Sequence, residues 1–322
     1  MTCPGTGEIR PEHVPDPGPG DVVVRTLHSG VSRGTETLVF QGRVPESQWA
    51  AMRAPFQEGD FPAPVKYGYL NVGVVEAGVP ELIGKTVFCL YPHQTRYVVP
   101  ADAVTVIPDD VPAARAVLAG TVETAVNAVW DAAPQIGDRI TVIGGGMVGA
   151  SVAAVLAGLP ATDVELVDID PNRENLTKSL DIRFAQPATA RADRDLIIHA
   201  SATEAGLDKG LELLRTEGTL VELSWFGDRR ISVPLGENFH SRRLTIRSSQ
   251  VGGISPTRHR GYAERFQVAL ELLKDPRFDA LITGHSPFEE LPAVLPRLAD
   301  GTLKALCHVI DHPDDHPDDH PI

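Results

Sequence analysis

The stretch Arg139-Ile140-Thr141-Val142-Ile143-Gly144-Gly145-Gly146-Met147-Val148-Gly149 decides how the chain folds. Its first five residues are a β-branched run that reads as a buried strand, and Val148 to Leu159 reads as a small-residue helix. Between them lies Gly-x-Gly-x-x-Gly in a strand, turn and helix context. Gly144 permits the tight turn, Gly146 lets a pyrophosphate approach the backbone, and Gly149 lets helix and strand pack closely. The helix N-terminus then attracts the phosphate charge. Asp168 follows Gly149 by 19 residues, at the end of the next strand, Val164 to Val167. A carboxylate there binds ribose hydroxyls and repels a 2′-phosphate, so the motif points to NAD rather than NADP.

Working outward, strands and helices alternate. Leu196 to Ile198 reads as a strand, Leu207 to Leu214 as a helix, Thr219 to Leu223 and Leu244 to Ile246 as further strands. This alternation implies a parallel sheet covered on both faces. A helix from Thr121 to Ala133 precedes it, with Gly120, Glu123 and Asn127 on one face. A long amphipathic helix, Tyr262 to Leu273, and a segment ending in Leu306 to Ile310 follow. The first third of the chain, with β-branched runs at Asp21 to Val24 and Val72 to Val75 broken by glycine and proline, reads as irregular β structure.

The chain has 322 residues, which fits two domains. It is 42% hydrophobic and 22% charged, with no apolar run approaching the ~20 residues of a membrane span. The start, Met1-Thr2-Cys3-Pro4-Gly5, is neither basic nor apolar, so no secretory signal and a cytoplasmic location are expected. Three scattered cysteines suit a reducing compartment. A net charge of −14 disfavours a nucleic-acid partner. Part of that charge is terminal. Of 43 acidic residues against 29 basic, five lie in the Asp-Asp-His-Pro repeat from Asp311, and the remaining 38 leave −9. With proline every fourth residue and nothing to bury, residues 311–322 read as a disordered tail.

Taken together, these features resemble the medium-chain dehydrogenase/reductase superfamily, the alcohol dehydrogenase-like enzymes, from about Glu8 to Ile310. The resemblance is carried by Pro19 to Val24, Gly30-Val31-Ser32-Arg33-Gly34-Thr35-Glu36, Gly68 to Val75, the glycine motif with Asp168, and Asp279 to Leu291. It implies an α/β protein with a GroES-like, β-rich catalytic domain (residues 1–115, completed by 252–310) and a Rossmann domain with a doubly wound parallel sheet (116–251). It also implies a cofactor set. Arg33 and Lys304 match pyrophosphate contacts, Arg173 a partner of the adenosine ribose, Val148 the backing of the nicotinamide, and Thr124 with Ser249 its carboxamide neighbours. Relatives pair their last Rossmann strands, here near Leu244 to Val251, which implies a homodimer.

The metal pattern is broken. Zinc-dependent members carry Cys, His and Cys or an acid where this chain has Ser32, Tyr69 and Gly120, and the cysteine-rich structural lobe is missing. An improvised site from Cys89, His93 and Glu123 is the one metal alternative. Without a Lewis acid another group must polarise a carbonyl or take an alcohol proton. Tyr69, Glu123 and His93 are the catalytic candidates, with Lys66 and Glu36 behind them and Tyr91 matching a substrate-pocket aromatic. Lys66 would lower the pKa of Tyr69 if the two met, although an ideal strand puts them on opposite faces. The expected activity is NAD-dependent, zinc-independent interconversion of an alcohol and a carbonyl on a small molecule. Reduction of activated C=C bonds with NADPH, or non-catalytic NAD(H)-responsive binding, are the alternatives.

Overall fold

The computed structural model describes residues 1–254 and 258–313. The first elements are β1 (Asp21–Ser32), α1 (Arg33–Phe40), β2 (Glu58–Gly59), β3 (Val65–Lys66), β4 (Asn71–Gly78), β5 (Thr86–Cys89), β6 (Arg96–Pro100), β7 (Val104–Val106) and α2 (Ala113–Ala116). Along β1 the buried residues Val22, Val24 and Thr26 alternate with partly exposed ones, as a strand with one packed face requires. Val22 and Val24 join Val75, Val87, Cys89, Tyr97 and Val99 in one core.

The alternating region follows: α3 (Ala119–Ala132), β8 (Arg139–Ile143), α4 (Met147–Ala157), β9 (Asp163–Val167), α5 (Arg173–Ser179), β10 (Arg183–Ala185), β11 (Arg194–His199), α6 (Glu204–Leu213), β12 (Leu214–Glu222), β13 (Thr245–Ser248) and α7 (Tyr262–Leu272). Six strands form one parallel sheet in the order β10-β9-β8-β11-β12-β13. Ile143, Val167, Ile197 and Leu220 from the strands pack with Leu207 and Leu211 of α6. The order runs one way from β8 through β9 and the other way from β8 through β11. That reversal opens the crevice in which doubly wound sheets bind dinucleotides.

The chain ends with β14 (Ile282–Pro287), α8 (Leu291–Ala299) and β15 (Cys307–Asp311). β14 and β15 complete a mixed sheet ordered β14-β15-β1-β4-β5-β7, with β6 paired to the outer half of β1. Leu291, Val294, Leu295 and Leu298 of α8 pack on Val31, Phe40 and Ile310. No helix among the described residues is long and apolar enough to cross a membrane.

Two compact units result, Met1–Gly120 with Ile282 onward, and Thr121–Leu281. The return to the first unit therefore comes thirty residues later than the expected boundary at 252. Arg265 explains the shift. This α7 residue is 1% exposed, and its guanidinium donates to Glu123 (3.0 Å) and Asn127 (2.5 Å) of α3 and to the Val251 carbonyl (2.7 Å). A buried cation must take its counter-charge with it, so α7 stays with α3. The tail also begins later than expected. Asp311 closes β15 and accepts from His28 (2.8 Å), while His312 is buried. The rest of the repeat, from Asp314, lies outside the described residues.

Removing one partner of the Arg265–Glu123 pair strands the other in the core. Glu123→Leu and Arg265→Met are each expected to cost about 3–5 kcal/mol, with the double variant recovering much of the loss. Urea unfolding of the four proteins checks this, and single variants within about 0.5 kcal/mol of the parent, the scale of a surface substitution, would sink it.

Candidate functional site

In the second unit the glycine corner has the expected construction. Gly144 adopts φ +105°, and a Cβ added there would fall 2.7 Å from the Ser201 nitrogen, so the turn after β8 admits only glycine. A side chain on Gly149 would collide with the Gly144 carbonyl, which is how closely α4 approaches β8. Around Gly146, the N-cap of α4, a Cβ would meet nothing within 4 Å, and no side chain caps the helix. The start of this 11-residue helix is thus uncapped and unobstructed at Gly146, and a helix N-terminus attracts phosphate. Asp168, directly after β9, accepts from the amide of Gly145 (2.6 Å) and from Asp170 (2.8 Å), which fixes its carboxylate at the corner. Arg173 lies against the same turn, its Cγ 3.3 Å from where a Gly145 side chain would begin.

Val148, second in α4, and Thr124 of α3 are half-buried in this unit. Ser249 is already engaged, donating to Asp131 (2.6 Å) and accepting from Asn127 (3.3 Å). Arg33 and Lys304 belong to the first unit, half-buried and exposed respectively. Glu123 lies in the second unit as the counter-ion of Arg265. Burial pushes its pKa up and the guanidinium pulls it back. A carboxylate committed to a buried arginine is a structural group, so the catalytic role expected of Glu123 is withdrawn.

The first unit brings Tyr69 and His93 together around Glu36. Glu36 is 1% exposed in α1, a position the sequence put behind the candidates. One carboxylate oxygen accepts from the Ser32 amide (2.7 Å) and the other meets His93 Nε2 (2.9 Å). His93 Nδ1 lies 2.8 Å from the Ser29 hydroxyl, which lies 2.9 Å from His312 Nε2. With Glu36 ionised and the two imidazoles neutral, the directions follow. His312 donates to Ser29, Ser29 to His93, and His93 to Glu36. Gly68 makes room for the imidazole, because at its φ of +128° a Cβ would fall 2.8 Å from His93 Cδ2. His312 in turn stacks on Phe288, with centroids 4.6 Å apart. A cavity of about 1230 Å³ in the same unit is lined by Glu36, His93, Lys66, Tyr67 and Pro313 among others.

Tyr69 follows β3, half-buried, its ring edge-on to Tyr67 at 6.0 Å. Desolvation, and then the charge of Glu36, push its pKa up to about 12 against hydrogen bonds with Ser32 and Thr35. Lys66 does nothing to oppose this. Its ammonium is held by Glu12 and Glu58, each at 2.6 Å. The lowering that a meeting of Lys66 with Tyr69 would bring is not found, and the shift is upward.

At the positions matched to zinc ligands, a side chain on Gly120 would fall 2.6 Å from Leu70 Cδ2, so Leu70 occupies the space a third ligand needs. Cys89 sits in the valine and tyrosine core, its thiol pushed up to about 12 by burial. Tyr91, expected to line a substrate pocket, stacks on Tyr97 at 3.8 Å in that core. Among the described residues no three His, Cys, Asp or Glu side chains are grouped to hold a metal, and Cys89, His93 and Glu123 form no such group.

Both the mixed sheet and the six-stranded parallel sheet with its glycine corner have close counterparts. No family model matches the chain. It is 22% identical, over 88% of its length and 91% of the relative's, to an (R,R)-butanediol dehydrogenase of Bacillus subtilis (strain 168). An alcohol dehydrogenase of E. coli CFT073 complexed with NADH superimposes with a TM-score of 0.76 at 18% identity, covering 97% of each chain. A dehydrogenase of Sinorhizobium meliloti 1021 bound to NADP gives 0.75 at 15% identity, covering 96% of each. The fold is that of the alcohol dehydrogenase-like medium-chain dehydrogenases. A GroES-like unit and a Rossmann unit are what the mixed and parallel sheets correspond to.

Raised phenol and thiol pKa values have a consequence for stability. The folded chain holds the Tyr69 proton to about pH 12, whereas an unfolded tyrosine releases it near 10. Tyr69 therefore contributes stability that is present below pH 10 and lost as pH rises toward 12. Tyr67, Tyr91 and Tyr97 act in the same direction. Urea midpoints should fall steadily above pH 10, and Tyr69→Phe should make that fall shallower; an unchanged slope would contradict the assignment.

Proposed function

We propose that this chain is an NAD-dependent oxidoreductase that interconverts an alcohol and a carbonyl by hydride transfer without catalytic zinc. What carries the reading is the pair of features at the two ends of the chemistry. One is the glycine corner with Asp168 fixed on the Gly145 amide. The other is the cluster of Tyr69, Glu36 and His93, in which Tyr69 stands at a position matched to a zinc ligand. The likeness to alcohol and polyol dehydrogenases supports the reaction class.

The residues present fit the cofactor. Gly144, Gly146 and Gly149 clear the backbone, the start of α4 receives the pyrophosphate, and Asp168 with Arg173 addresses the adenosine ribose. Val148, Thr124, Ser249, Arg33 and Lys304 are assigned as further contacts. Bound there, the nicotinamide supplies or accepts the hydride. Tyr69 is a neutral phenol at physiological pH, because its pKa stands near 12, and so it acts as a donor. It polarises the substrate oxygen during reduction and keeps a hydrogen bond to that oxygen during oxidation. Glu36, buried against the Ser32 amide, holds the His93 imidazole with one nitrogen toward the carboxylate and the other toward Ser29. Both ring nitrogens are engaged, so the alcohol proton is passed on through Ser29. Its hydroxyl gives its own proton to His93 Nδ1 and takes the incoming one, the Nε2 proton moves to Glu36, and reduction returns it by the reverse route. We further assign a small-molecule substrate, a cytoplasmic location and a homodimer built through the edge strand β13, whose residues are all exposed.

Kinetics over a panel of secondary alcohols and ketones tests the reading. Tyr69→Phe and His93→Asn are expected to lower kcat by about 10²–10⁴-fold while leaving the NADH dissociation constant within about twofold, or about 0.4 kcal/mol, less than the net worth of one hydrogen bond. Asp168→Ser should weaken NADH and improve NADPH. Stoichiometric zinc in the purified active protein, or activity lost to a chelator, would overturn the metal-free mechanism.

A further inference from the structure

At the carboxyl ends of β11 and β12 a second polar chain has no part in the functions assigned so far. His199, the last residue of β11, is fully buried. Its Nδ1 lies 2.6 Å from Glu222 Oε2 at the end of β12, and its Nε2 lies 2.7 Å from the Ser201 hydroxyl. Ser201 lies 2.8 Å from the Thr203 hydroxyl, which accepts from the Gly206 amide at 3.1 Å. The other oxygen of Glu222 accepts from the Ser224 amide at 2.7 Å.

Every proton in this chain has a direction. Thr203 caps α6 by accepting from Gly206, so its own proton goes to Ser201. The ionised Glu222 takes the Nδ1 proton of His199, which leaves Nε2 as an acceptor for the Ser201 proton. Ser201 thus spends its single proton inward and receives one from Thr203. One lone pair of its oxygen remains, and Ser201 is partly exposed. Such an oxygen accepts from a ligand and cannot donate to one, so it suits a hydroxyl and is unsuited to a phosphate.

Serine, histidine and a carboxylate in sequence also suggest a nucleophile. An acyl-transfer site needs free donors for the developing oxyanion. Two of the local amides are already committed, Ala202 to Ser224 Oγ (3.0 Å) and Gly206 to Thr203, and the Ser201 hydroxyl has its proton turned inward, so the arrangement favours an acceptor.

Sheet order identifies the ligand group. Asp168 stands after β9, on one side of β8, and Ser201 stands after β11, on the other. The Ser201 nitrogen lies 2.7 Å from where a Gly144 side chain would begin, beside the pyrophosphate turn. With the adenosine ribose on Asp168, the nucleoside that crosses to the β11 side is the second one. We propose that the Ser201 hydroxyl, oriented by His199 and Glu222, accepts a hydrogen bond from a hydroxyl of the second ribose of the dinucleotide. The inference rests on the cofactor reading above.

ADP and ADP-ribose separate the two, since only the latter carries the second ribose. Calorimetric titration of the full chain should give tighter binding of ADP-ribose than of ADP. Ser201→Ala should weaken ADP-ribose and NADH by about tenfold and leave ADP unchanged. Equal losses for ADP and ADP-ribose, or no loss for either, would overturn the assignment while sparing the cofactor reading. Failure of the parent protein to bind any of the three would overturn both. Covalent capture of Ser201 by a fluorophosphonate would replace the acceptor with a nucleophile.

Discussion

The second unit depends on one close approach, that of α4 to the end of β8 at Gly149 and the Gly144 carbonyl. Any side chain at Gly149 forces the helix off the strand, and any at Gly144 strikes the backbone after β11. Because the approach is so tight, the start of α4, the carboxylate of Asp168 and the hydroxyl of Ser201 are brought around a single turn. The same absence of side chains leaves Gly146 open. Removing atoms here creates both the packing and the place for a ligand, which is why the motif needs three glycines rather than one.

In the first unit the organising group is a buried carboxylate. Glu36 gains a backbone amide and an imidazole, which together offset the cost of taking its charge out of water. A metal would have fixed substrate oxygen by Lewis acidity with little dependence on the protonation of its surroundings. In the mechanism proposed for this chain a phenol and an imidazole act through protons, so their chemistry depends on which nitrogen or oxygen holds each one. The fixed sequence from His312 through Ser29 and His93 to Glu36 meets that requirement.

The parallel sheet was legible because its signals are local: β-branched strands, a glycine turn and an acid at the end of the second strand all lie within about thirty residues, one βαβ unit. Strands β8, β9, β11 and β13 fall where their apolar runs are. Helices α1 and α8 were not read. Ser32 to Glu36 resembles a turn, and α8 carries Pro292 in its first turn and Pro296 inside it, which reads as punctuation. Tyr69 and His93 could be named as candidates only through the family pattern. Their organiser was under-weighted, and Ser29 and His312 were missed altogether, because the contacts that matter join residues 283 apart. Glu123 misled because helical spacing shows a face without showing what is packed against it, and Arg265 lies 142 residues on.

Leu70 and Gly120 bear on how such a site changes over time. A ligating side chain introduced at Gly120 meets Leu70 Cδ2 before it can reach a metal, so the leucine has to shrink or turn polar first. A shortened Leu70, taken alone, opens a void beneath the mixed sheet and costs stability. Each single step toward a metal is therefore disfavoured on its own. The two positions hold one another in place, so neither changes alone without a cost in packing.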